Sequence, residues 1–156
     1  VIARVHGVAT AAGCQLVASS DLAVAGASAR FATPGVNIGL FCTTPMVALT
    51  RSVAPKAAME LLLTGELISA DEALRIGLVN RVVPDAEVEA LAELIASKPP
   101  ETVAVGKAAF WRLRDQPLEA AYADASEVMA ANLAMDEAAE GITAFLEKRP
   151  PRWSTS

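Results

Sequence analysis

The sequence predicts an α/β fold of layered architecture, a short strand-and-helix unit followed by a mainly helical region, and three observations carry the prediction. Two β-rich runs, Val1–Val5 and Leu22–Ala25, flank an Ala-rich stretch of helical character. Strong breakers, Pro34-Gly35, Thr64-Gly65 and Pro84, divide the chain into short elements. Beyond Pro55 the segments take helical spacing and open on Pro, Asp or Pro-Glu, residues whose missing N–H or negative charge suits a helix start.

In chain order, Val1-Ile2-Ala3-Arg4-Val5 reads as a strand already under way, so the natural N-terminus is expected upstream. His6-Gly7 leads into a helix over about 12–20, and Asp21 precedes the strand Leu22–Ala25. A further extended piece, Arg30-Phe31-Ala32, ends at Pro34-Gly35. After a loop over 36–44, Pro45 and the spacing of Met46, Leu49 and Val53 predict a helix to about Val53. Ala57–Leu63 reads as a helix closed by Thr64-Gly65. Ser69-Ala70-Asp71-Glu72 is a capping box opening a short helix that Gly77 ends. Val79–Val83 is a last strand, stopped by Pro84. Helices follow over about 85–97, 100–114, 117–134 and 136–147. The expected division is an α/β core over 1–55 and a mainly helical region over 56–156.

The 156 residues suffice for one ordinary domain, and 53% hydrophobic residues supply a core. A net charge of -5 argues against a nucleic-acid surface, which needs clustered positive charge. No apolar run approaches the roughly 18 residues of a membrane span, so the chain is read as soluble. Two cysteines without a CxxC pair, and one histidine, fit neither a disulfide framework nor a zinc site, and no metal or permanently bound cofactor is expected.

The segment His6-Gly7-Val8-Ala9-Thr10-Ala11-Ala12-Gly13-Cys14-Gln15-Leu16 is the informative local feature. Small residues between a strand and a helix let another group approach the backbone and place unsatisfied N–H groups in its path, where an oxyanion can be held. The same residues would serve equally to pack a helix tightly on a sheet, and the segment alone does not choose. Cys42 falls just before a predicted helix, where a thiol can act chemically or simply sit half-buried. His6 is read as a structural histidine, and Trp111 and Tyr122 as core or subunit interface.

These segments resemble the crotonase, or enoyl-CoA hydratase/isomerase, family. Val1–Ala9 with Ala12-Gly13-Cys14-Gln15-Leu16 is similar to its "P-V-I-A-x-V-x-G-x-A-x-G-G-G-x-E-L" pattern. Asp21–Ala25 and Ala29–Gly35 match its "D-x-x-x-A" and "A-x-F-x-x-P-E" blocks. Leu63-Thr64-Gly65 through Val83-Pro84, and the closing Glu140–Pro150, match two further blocks, so the resemblance covers nearly the whole chain. It implies the C-terminal part of a crotonase ββα superhelix followed by a helical trimerisation region. It also implies an acyl-CoA substrate, with coenzyme A part of that substrate, in fatty-acid metabolism, and a homotrimer or dimer of trimers. The compartment implied is cytoplasmic in a bacterium and the mitochondrial matrix in a eukaryote.

The resemblance implies that the Ala12 N–H forms half of an oxyanion hole, the other donor lying in a part of the family fold outside this chain. Gly13, Asn37, Cys42 and Thr43 fall at substrate-binding positions, with Asn37 or Thr43 positioned to hold a water. Phe145 and Lys148 fall where the CoA moiety is bound, and Lys148, Arg149 and Arg152 form a local positive cluster that would otherwise read as a solvated tail. The two family glutamates are replaced by Gln15 and Gly35. Gln can hydrogen-bond a water but not take its proton, and Gly has no side chain, so hydration by the usual route is not expected. The loop Ile38–Met46 carries bulkier residues where the family has glycines. The run Thr33–Pro45, with Lys107–Phe110 and Trp153, points to one subgroup. Two functional readings follow: an enzyme of the superfamily working without the two carboxylates, and a non-catalytic acyl-CoA binding or scaffold protein.

Overall fold

The computed structural model describes residues 1–84 and 88–153. The chain forms β1 (Ile2–Val5), β2 (Val8–Thr10), α1 (Ala12–Ser19), β3 (Leu22–Gly26), β4 (Arg30–Ala32), a 3-10 turn (Pro34–Ile38), α2 (Thr43–Ser52) and α3 (Pro55–Thr64). It continues as β5 (Ile68–Ser69), α4 (Ala70–Arg75), β6 (Arg81–Val83), α5 (Val88–Ala96), α6 (Pro100–Leu113), α7 (Leu118–Leu133) and α8 (Asp136–Leu146). The expected helix over 85–97 is present from Val88, its first three residues lying outside the described ones. The chain divides into two compact units, Val1–Ala92 and Glu93–Ser156.

In the first unit the strands make two small sheets, β1-β3-β6 and β2-β4-β5. All pairs are parallel except β4 with β5. The chain passes from one sheet to the other at Gly7, whose φ of +133° is open to glycine and rarely adopted by residues with a Cβ. β2 and β5 were not expected from the sequence. Three and two residues are too few to show a period, and both strands exist because β4 lies between them: Val8 pairs with Arg30, and Phe31 with Ile68. The last strand starts two residues later than expected. Leu78 and Val79 donate their N–H groups to the Ala73 carbonyl and close α4, and Asn80 then meets Ala23 from both sides. Its N–H reaches the Ala23 carbonyl at 2.8 Å, and its side-chain oxygen accepts the Ala23 N–H at 2.7 Å.

Phe31, Leu49, Leu62, Val24, Thr33 and Cys14 are the largest side chains fully out of solvent among the described residues. Lys56 to Ala92, placed with the helical region in the sequence division, falls in this unit, and Leu61, Leu62, Ala70 and Ala73 belong to the same buried cluster as Phe31. Buried Thr33 donates its hydroxyl to the Leu61 carbonyl at 2.9 Å and ties β4 to α3. α3 opens on Pro55, two residues ahead of the expected start at Ala57, and closes as expected on Gly65, at φ +63°. The capping box is half formed. The Ser69 hydroxyl accepts the Glu72 N–H at 3.1 Å, while the Glu72 carboxylate takes the Arg75 guanidinium, which holds its carboxyl below the usual range.

The second unit is built on α6, α7 and α8. No side chain from its own first turn caps α6; buried Glu137 of α8 does so from 35 residues away. It accepts the Thr102 N–H and hydroxyl, each at 2.8 Å, and the Glu101 N–H at 3.2 Å. Burial opposes the charged carboxylate, but these three donors outweigh it and hold the carboxyl below its ordinary range. The Trp153 indole donates to the Ser97 carbonyl at 3.0 Å and brings the C-terminal segment back onto the unit. Trp111 packs edge-on against Phe110 and under Arg114, and both Trp111 and Tyr122 are exposed, so neither is core of this unit.

Candidate functional site

The first turn of α1 is the centre of the site. β2 runs alongside β4, and the pairing extends one residue past the strand, because the Ala11 N–H donates to the Ala32 carbonyl at 3.0 Å. The Ala11 carbonyl then accepts the Gln15 N–H at 3.0 Å, the first bond of the helix. Held on both sides, Ala11 takes φ 46° and ψ −112°, a conformation that residues with a Cβ rarely adopt. No side chain caps this helix, so the N–H groups of Ala12, Gly13 and Cys14 stand at its positive end with no intrahelical acceptor. Ala12 is exposed and Gly13 half-buried. An open groove of about 420 Å³ runs beside this helix, lined among others by Gly7, Val8, Gly13 and Leu16.

Gln15, half-buried on α1, is the polar side chain nearest in sequence to these donors. Gly35 sits in the 3-10 turn, and the space its side chain would need is filled. A Cβ built there falls 2.4 Å from the Leu40 carbonyl oxygen and 2.8 Å from the Cys42 Sγ. The Leu40 N–H donates to the Gly35 carbonyl at 2.9 Å, so the chain folds back over the glycine and is fastened to it. The turn at Leu40 therefore occupies the space that a side chain at residue 35 would need, a packing that no local motif announces.

Cys42 is half-buried, stands just before α2 and packs against the core cluster. Cys14, on α1, is fully buried; burial first, and the nearby Cys42 second, push its thiol up to about 11. Thr43 is the exposed first residue of α2, its N–H donating to the Phe41 carbonyl at 2.7 Å. Asn37 is turned elsewhere: its amide nitrogen lies 3.1 Å from where a Cβ on Gly65 would stand, at the end of α3. His6 is exposed beyond the end of β1. Cys42 is thus gathered with Gly35, while Asn37 lies over Gly65.

In the second unit α8 ends in a tight closing turn. The Lys148 N–H donates to the Phe145 carbonyl at 3.2 Å and the Arg149 N–H to the Ala144 carbonyl at 3.0 Å. These two bonds place Lys148 at the left-handed position usually held by glycine, with φ 54°. Arg149 grips Glu140 through both terminal nitrogens, at 2.7 and 2.9 Å, and reaches Glu147 with its Nε at 2.6 Å. Glu140 also accepts the Arg152 N–H at 2.7 Å. The Arg149 guanidinium first, and the Arg152 N–H second, bring the Glu140 carboxyl down to about 2. Phe145 is 81% exposed beside this turn.

A strand-to-helix turn with uncapped donors, in this order of parallel strands and helices, defines a class of protein. The family model described as enoyl-CoA hydratase/isomerase matches residues 1–156, and the chain belongs to that family, the crotonases. It is 57% identical to an enoyl-CoA hydratase of Mycobacterium smegmatis of known structure, with a TM-score of 0.95 over 99% of this chain and 62% of that one. Within the family it is similar to the enoyl-CoA hydratase domain-containing protein 3 subgroup, the one to which Thr33–Pro45 pointed. The human mitochondrial member is 55% identical over 99% of this chain and 52% of its own length. The human crystal structure superimposes with a TM-score of 0.91 at 55% identity, covering 94% of this chain and 60% of that one. The chain spans about half the length of the curated relatives it matches.

Proposed function

We propose that the protein holds an acyl-CoA thioester, its carbonyl oxygen accepting the Ala12 N–H, and stabilises the enolate form of the bound acyl group. The observation that carries this reading is the uncapped start of α1 behind the strained Ala11, a donor fixed before any ligand arrives and reinforced by the helix dipole. Gly13 lets the ligand come close to the backbone. Lys148 contributes charge for the CoA phosphates and Phe145 an exposed ring for its adenine. Exposed Tyr122, Met129 and Leu133 on α7 support self-association of the helical region, as a trimer or dimer of trimers.

The chemistry open to such a site is narrow. Gln15 orients a water or a substrate group without taking its proton, and residue 35 supplies nothing, so any proton transfer from carbon falls to water or to the substrate itself. A non-catalytic acyl-CoA binding or scaffold role is the second reading, and the filled space at Gly35 favours it. Calorimetric titration of the full chain with acyl-CoA, together with turnover of crotonyl-CoA, tests both. Saturable binding with no product supports the second reading and product formation the first; absence of binding at high micromolar ligand overturns both. Restoring carboxylates by Gln15→Glu with Gly35→Glu is not a sufficient test, because residue 35 has no room for a side chain until the Leu40 turn is replaced.

A further inference from the structure

A lysine in the left-handed turn that closes a helix is an outlier that asks for a cause. Glycine adopts this conformation without steric cost, whereas a residue with a Cβ does not. Lys148 nevertheless occupies it, and the surrounding contacts fasten the turn more firmly than helix closure requires. Two backbone bonds close it, and Arg149, the next residue, is clamped between Glu140, nine residues back, and Glu147. The Arg152 N–H closes on the same Glu140 carboxylate. Arg149's charge is taken up by these two carboxylates, and Lys148 is left exposed at the tip of the turn with Arg152 also exposed nearby in sequence.

We infer that Glu140 and Arg149 are positioning residues: their ion pair holds Lys148 in the left-handed turn so that its ammonium is presented to a phosphate of the bound ligand. The inference rests on the reading that Lys148 meets the phosphates of CoA, and it adds the residues that act through Lys148 without touching the ligand. The strain is retained because a glycine would close the helix as well or better but would bring no charge.

Affinity of the full chain for CoA, measured by calorimetry beside a melting curve for each variant, tests the inference. Lys148→Gly is expected to keep or raise the melting temperature while weakening CoA binding about tenfold, the scale of one lost charge-assisted hydrogen bond. Lys148→Arg keeps the affinity within about threefold, since the charge remains. Glu140→Gln, and Arg149→Lys as a second route should the first unfold the protein, weaken binding about three- to tenfold when Lys148 is present and less than about twofold in the Lys148→Gly background. A purely structural pair would instead cost the same in both backgrounds, and that result overturns the positioning role, as does unchanged affinity in both variants. Dephospho-CoA separates the sources of the phosphate. A Lys148 effect lost with it assigns the 3′-phosphate, one retained assigns the diphosphate, and either supports the inference. No binding of CoA or adenosine 3′,5′-bisphosphate by the unaltered chain brings down the CoA reading itself and this inference with it.

Discussion

Placing a single methyl group on Gly35 probes the most unusual part of the site. The Cβ of Gly35→Ala would stand 2.4 Å from the Leu40 carbonyl oxygen and 2.8 Å from the Cys42 Sγ, where ordinary contact begins at 3.4 Å. The Leu40 carbonyl must therefore retreat by about an ångström, which pulls on the 2.9 Å bond from the Leu40 N–H to the Gly35 carbonyl. Overpacking of this kind costs about 1–3 kcal/mol, and loss of the bond adds about 1. A total of about 2–4 kcal/mol lowers the melting temperature by about 5–15 °C for a chain of this size. Urea unfolding of the full chain, with thermal melts in parallel, measures it. Cys42→Ala removes one of the two contacts and leaves the harder one, so the double variant should recover part of the loss and not all of it. A Gly35→Ala chain within about 0.5 kcal/mol of the parent would refute the packed-loop account.

Other outcomes follow from the same geometry. Ala11→Gly should stabilise the chain, because relief of about 1–3 kcal/mol of backbone strain exceeds the 0.5–1 kcal/mol or so of added chain entropy; a lower unfolding midpoint would count against the strain. Glu140, brought down to about 2 from 4.5, contributes stability that is complete above pH 4.5 or so and is lost as the pH falls from there through 2. Acid unfolding of Glu140→Gln should accordingly show a flatter dependence in that window, and identical curves would exclude the contribution. With its thiol pushed up to about 11 and fully buried, Cys14 should resist alkylation at pH 8 in the native chain and react only on unfolding, as peptide mapping of the labelled protein would show.

Helix boundaries were legible where chemistry marks them locally: Gly65 after α3, Ser69 before α4, and Pro100 at the start of α6 each announce an end. The short strands were not, since β2 and β5 owe their existence to β4 and a strand of two or three residues carries no period of its own. The cap on α6 is illegible for a related reason, because Glu137 arrives from another helix. At the candidate site, the run of small residues marked the turn into α1, and the resemblance alone assigned Gln15 and Gly35 to the positions of the family glutamates. The sequence did not reveal that Ala11 carries the strain, that Leu40 fills the space beside Gly35, or that Glu140 reaches Arg149 across nine residues. Each depends on how the backbone folds back on itself, and one letter at a time does not encode that.

The packing around Gly35 also bears on how such a site changes over generations. With the Leu40 carbonyl seated against the glycine, any single codon change that gives residue 35 a side chain first produces a clash and only afterwards a chance of new chemistry. The neighbouring turn must be rebuilt before residue 35 can carry any side chain, so the steps have an order. The loop works as a ratchet, holding the fold in its present chemical state through sterics alone.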